Sequence, residues 1–183
     1  DELEELIRRI EKLIRDSRKI TDDVRKEIEK TIRESREINK EVHERNRKLL
    51  EEITEVVKRD GGEAEEVVKI VRDVLRRIKE SNEEVLRLTE EVHKTNERLL
   101  REVLRVTREV LKEIKKRVER VKDRGAREED LRRVDDRVRR VVEESEERLR
   151  RVYEESRKVV EESRKHLKED LDRVKRTVEE IER

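Results

Sequence analysis

The sequence predicts an all-α protein, an up-down-up bundle of three very long antiparallel helices of coiled-coil type. Three observations carry that expectation. Aliphatic residues recur at alternating spacings of three and four along nearly the whole chain, the heptad pattern of a helical seam. Of 183 residues, 57% are charged and 30% hydrophobic, yet the formal net charge is only +1 because acids and bases alternate closely. Low hydrophobicity alone would suggest disorder, whereas the strict period selects long helix. Finally, there is no Pro, and the three Gly fall at two places only, Gly61-Gly62 and Gly125, so the helical pattern meets two candidate breaks.

The first helix is expected from about residue 1 to about residue 60. Asp1 can cap it, with Glu4 as the reciprocal partner of a capping box. Its seam runs Leu3, Ile7, Ile10, Ile14, Ser17, Thr21, Val24, Ile28, Thr31, Ser35, Ile38, Val42, Asn46, Leu49, Ile53, Val56, widened by residues such as Leu13, Ile32, Asn39, His43 and Leu50. A 3.6-residue helix drifts against a seven-residue repeat, so some widening is expected. Asp60-Gly61-Gly62-Glu63 is the first turn, with Gly61 suited to the left-handed position after a helix.

The second helix is expected over about residues 63–123 and carries the broadest stripe, from Val67 to Val121. A broad stripe means contact with more than one neighbour. Arg124-Gly125-Ala126 is the second turn, and Glu128, Glu129 and Asp130 populate the next first turn, where negative charge suits the helix dipole. The third helix, about residues 127–182, has a narrower stripe that includes Ser145, Ser156, Ser163, His166, Leu171 and Val174. Helices of roughly 55–60 residues would each span about 85 Å, and the tiny turns make neighbours antiparallel. Residues 1–183 therefore read as a single elongated domain.

Polar residues interrupt the stripes at particular levels. Glu41–Leu50, EVHERNRKLL, is nearly repeated by Glu91–Leu100, EVHKTNERLL, and each copy sets a His and an Asn among Val and Leu. An unpartnered buried amide or hydroxyl costs on the order of 1–3 kcal/mol, so these groups require partners. Counting equal rise from the two turns places Asn39 and His43 level with Ser81 and Asn82, with His166 within a turn. Thr31 and Ser35 then face Thr89 and His93, with Ser156 and Ser163 on the third helix, and Asn96 is level with Ser156. Ser17 faces Thr107 and Ser145, whereas Asn46, Thr54 and Thr177 find no partner in that register. Such layers add register rather than stability, because sliding one helix by a turn would strand each polar group against Leu or Val.

Several function classes are disfavoured. With no Cys there is no disulfide or thiolate chemistry. No metal site is expected, since His43 and His93 lack an inward His or carboxylate one turn away. No catalytic group is expected either: Ser163 and His166 are ordinary neighbours on one helix, with no loop to form an oxyanion hole. No phosphate cradle, cofactor or small-molecule site is expected, Gly61-Gly62 being a bare turn. Near-zero net charge, and acids interrupting the basic stretch Lys112–Arg124, leave no pull on nucleic acid. No apolar run approaches the ~20 residues of a membrane span, and the chain is expected to be soluble, without a targeting leader.

Equal helix lengths, the turns DGGE and DRGARE, and the polar segments SREINKEVHERN and SNEEVLRLTEEVHKTN resemble de novo designed helical bundles with buried hydrogen-bond networks. The resemblance covers the whole chain. It implies a designed structural scaffold without natural biochemical activity, whose Ser, Thr, Asn and His layers enforce pairing. It also implies an alternative, a designed protein–protein interaction module, either a homo-oligomer or one component of a hetero-oligomer, pH-responsive through buried His. Helices one and two carry more apolar surface than a three-helix seam needs, so self-association or a helical partner would use those two helices. If His43, His93 and His166 are buried, protonation should destabilise the fold below about pH 5–6.

Overall fold

The computed structural model describes residues 2–60 and 65–182. The chain is all-helical among these residues, with three long helices packed against one another: α1 (Glu2–Asp60), α2 (Glu65–Asp123) and α3 (Glu128–Glu182). Each described helix lies within the span that the heptad reading assigns to it. The Asp1 cap and the Gly61-Gly62 turn lie outside the described residues.

Abundant Glu, Lys, Arg and Leu favour helix, and several of the ends carry charge that complements the dipole. Lys58 and Arg59 occupy the last turn of α1, Glu65 and Glu66 the first turn of α2, and Glu128, Glu129 and Asp130 the first turn of α3. The end of α2 is closed by glycine. Gly125 has φ of 90°, its N–H bonds the Lys122 carbonyl at 3.1 Å, and the Ala126 N–H reaches back to the Val121 carbonyl at 3.3 Å. These two bonds make a Schellman motif with Gly at the left-handed position. The Leu131 N–H then donates to the Arg127 carbonyl and starts α3.

Contacts divide the chain into two compact units: Asp1–Lys30 with Thr95–Glu155, and Thr31–Lys94 with Ser156–Arg183. Each helix contributes one segment to each unit. The first unit is centred on Ile10 and Ile14 of α1, Ile114 of α2, and Val138 and Val141 of α3. There α1 and α3 run parallel and are joined across their exposed edges by Arg137–Glu11 and Arg148–Asp22. The second unit packs Leu50, Ile53 and Val57 of α1 against Val71, Leu75 and Ile78 of α2, with Val174 and Val178 of α3 alongside. Full burial of each such aliphatic contributes about 1.5–3 kcal/mol.

Candidate functional site

The core line of each helix changes from aliphatic to polar. On α3, Ser156, Ser163, Asp170 and Thr177 follow one another at heptad spacing, and all are buried. On α2, Asn82, Thr89 and Asn96 do the same, as do Asn39 and Asn46 on α1. Heptad spacing keeps successive members on one face, so each helix of the second unit brings a polar line to the same core.

Three helices meet at Asp170. Asn46 Nδ2 donates to Asn82 Oδ1 at 2.8 Å, and Asn82 Nδ2 donates to Asp170 Oδ2 at 3.0 Å. His43 Nδ1 donates to the same Asp170 oxygen at 3.2 Å, which fixes a proton on that ring nitrogen. The His43 ring stacks on His166, with centroids 4.4 Å apart and planes at 14°. Asp170 is 0% exposed. Its second oxygen, Oδ1, and His166 Nδ1 are buried without a hydrogen-bond partner among the described residues. Two side chains from two other helices therefore point at one carboxylate oxygen, and the other oxygen of that carboxylate is left unmatched among the described residues.

A second set of bonds lies further along the same unit. Asn39 Nδ2 donates to Thr89 Oγ1 at 3.0 Å and to the Ser35 carbonyl at 2.7 Å, while Thr89 Oγ1 passes its own proton to the Val85 carbonyl. His93 Nδ1 and Ser156 Oγ lie 2.8 Å apart, joining α2 to α3. Other buried threonines stay within their helix: Thr21, Thr107 and Thr177 each donate to the carbonyl four residues earlier, as does the half-buried Thr54.

The candidate residues thus fall into two groups. Asn39, Asn82, Thr89, Ser156 and Ser163 in the second unit are buried, as are Asn96, Thr107 and Ser145 in the first. Thr31, Ser35, His43, Ser81, His93 and His166 in the second unit, and Ser17 in the first, are half-buried. The register differs from the count by rise. Asn39 stands opposite Thr89, not Ser81 or Asn82, while His43 lies beside His166 and shares Asp170 with Asn82. Asn82 belongs to Asn46, which that count had left without a partner. Side-chain interlock moves pairing in steps of about a turn, and constant rise from a turn does not capture those steps. Asp170, Thr21, Asn46 and Thr177 are buried polar residues outside the candidate set. The heptad Ser156-Ser163-Asp170-Thr177 was the signal for two of them.

The site offers little to a small ligand. Among the described residues no group of three or more His, Cys, Asp or Glu is arranged to hold a metal. A cleft of about 540 Å³ in the first unit is lined by Leu3, Leu6, Val121 and Ala126 with Arg and Glu side chains, and by none of the candidate residues. Resolved shifts in ionisation occur on the exposed surface. Arg105 donates a hydrogen bond to Glu102 and, with its charge, lowers that carboxyl below the ordinary value. No described helix is long and apolar enough to cross a membrane.

Comparison with solved structures gives a structural likeness. The chain is similar to a solved structure described as a computationally designed three helix bundle, at 15% identity and a TM-score of 0.44, covering 100% of this chain and 88% of that one. No protein-family model matches the chain, and no curated protein matches it.

Proposed function

We propose that the chain is a designed structural scaffold without catalytic activity, whose buried polar layers enforce helix register and pairing. The observation that carries this reading is the path Asn46–Asn82–Asp170–His43, which passes through all three helices in consecutive hydrogen bonds. Such a path adds little net stability, since folding exchanges these bonds for bonds to water. Its value is in rejecting alternatives, because any other register leaves an amide or a carboxylate buried against aliphatics. The test is to replace Asn46, Asn82 and Asp170 together by Leu. Urea resistance should hold or rise, while amide NMR spectra should show more than one set of resonances. A single sharp set with unchanged mass would refute the register role.

A second reading, an interaction module, is favoured by the distribution of exposed aliphatics. Ile20, Ile38, Ile70, Leu88 and Leu99 all belong to α1 or α2, so the surplus apolar surface lies on those two helices. A response to pH is compatible with either reading, since His43 and His93 carry bonds between helices. Replacing His43, His93 and His166 with Asn should flatten the dependence of stability on pH, and equal acid sensitivity in the triple variant would rule the histidines out.

A further inference from the structure

Three large apolar residues of the second unit remain open to solvent: Ile38 at 51%, Ile70 at 64% and Leu88 at 46% exposure. They lie on the side of α1 and α2 that α3 leaves open. Asn39 bonds Thr89, so Ile38 and Leu88 stand at one level on the two helices. Further along, Leu49, Ile53 and Val56 of α1 face Val67, Ile70 and Val74 of α2 across a cleft of about 240 Å³. The cleft is continuous with the seam that already holds α1 and α2 together, because Ile53 and Val71 belong both to its lining and to the buried cluster. The described ion pairs that cross between helices in this unit, Arg36–Glu162 and Arg164–Glu90, tie α1 and α2 to α3, and the part-buried pair His43–Asp170 ties α1 to α3 as well. None of the described pairs ties α1 to α2.

Acidic residues bracket each of these aliphatics on its own helix. Positions four before and three after a helical residue are its surface neighbours. Ile38 is bracketed in this way by Glu34 and Glu41, Ile70 by Glu66 and Asp73, and Leu88 by Glu84 and Glu91. In the first unit the same bracket recurs at Ile20, between Asp16 and Asp23. Asp73, Glu84 and Glu91 also pair with Arg76, Arg77 and Arg87 on their own helix, while Glu34, Glu41 and Glu66 take part in none of the described ion pairs and remain for a partner.

We propose that this open face of α1 and α2 in the second unit is a docking groove for a single amphipathic helix of another chain, aliphatic at heptad spacing and flanked by Lys or Arg. The inference rests on the interaction reading and names its partner. A helix is the occupant because both walls repeat their aliphatics with helical period, as does the seam on which α3 sits. A second copy of this chain is disfavoured, because a twofold interface would set the face against itself and bring carboxylate brackets toward carboxylate brackets. A basic-flanked helix turns the same brackets into cross-helix ion pairs that set its orientation.

The test uses the full chain and two labelled synthetic peptides of about four heptads. Both carry Leu at the core positions; one has Lys at the flanking positions and the other Glu. The Lys peptide should bind one to one and at least about tenfold more tightly than the Glu peptide, with the difference shrinking in high salt. Binding should be lost in the variant Ile38→Ser, Ile70→Ser, Leu88→Ser, which alters exposed positions and should keep its helical circular dichroism. Equal binding of the two peptides, or undiminished binding to the Ser variant, overturns the proposal. A mass of twice 22.5 kDa that falls to the single mass in the Ser variant overturns the helical occupant but keeps the interaction reading. A single-mass chain that binds neither peptide overturns both and leaves the scaffold.

Discussion

Asn82 is the residue whose removal tests the polar core most directly. It accepts from Asn46 and donates to Asp170, so Asn82→Ala breaks two bonds between three helices at once. The bond to Asn46 is neutral and of the kind that contributes about 0.5–1.5 kcal/mol, and the bond to a carboxylate contributes about 1.5–3 kcal/mol. His43 still donates to Asp170, so the carboxylate is not wholly abandoned, but the Asn46 amide keeps no other described partner. The expected loss is therefore about 2–4 kcal/mol, measured as the shift in urea midpoint multiplied by the slope. A double-mutant cycle with Asn46→Ala separates the bond from the side chain that makes it, and the coupling should be about 1 kcal/mol. A loss below about 1 kcal/mol for Asn82→Ala, or a coupling near zero, would mean that water replaces these bonds freely. The register argument would then fail with them.

Other outcomes follow from single features. Ile78, 2% exposed in the apolar cluster of the second unit, should lose about 2–5 kcal/mol on change to Ala, read from the same urea transitions. Gly125→Ala should cost about 1–2 kcal/mol, although nothing lies within 4 Å of the added Cβ, because φ is 90°; Asn, which tolerates that region, should cost less in thermal melts. The Glu102 carboxyl is lowered by Arg105, so its contribution is present above the ordinary carboxylate range and fades as pH falls through the lowered value. Glu102→Gln should therefore lower stability slightly at pH 7 and not at all in strong acid, and added salt should erase the difference, as melts at both pH values would report.

The three helices and the end of α2 at Gly125 were legible because they depend on local information: the heptad, the absent Pro and the glycine. Polar core members such as Asn39, Asn82 and Thr89 were legible because an uncharged polar residue stands out in a Val and Leu stripe. Asp170 did not stand out, since more than half of the chain is charged and one more carboxylate among them looks like surface. Its neighbour Leu171 took its place in the expected seam, at the expense of a five-residue gap after His166. Register was misjudged for a different reason. Phase along one helix is set by that helix, whereas the level at which Asn46 meets Asn82 is set by interlock between two helices.

The threonines divide the buried polar residues by what they communicate. Thr21, Thr107 and Thr177 give their protons to carbonyls of their own helix, a bond that any neighbour would leave intact. Such a hydroxyl is buried polarity without an address. Thr89 differs because the oxygen that donates inward also accepts Asn39 from across the core. Burial and chemical type alone therefore overstate how much partner choice a helix encodes. For this chain the vocabulary reduces to a few amides, one carboxylate, Thr89, Ser156 and the histidines that reach another helix. A rewritten pairing code would need to change those letters, and could keep Thr21, Thr107 and Thr177.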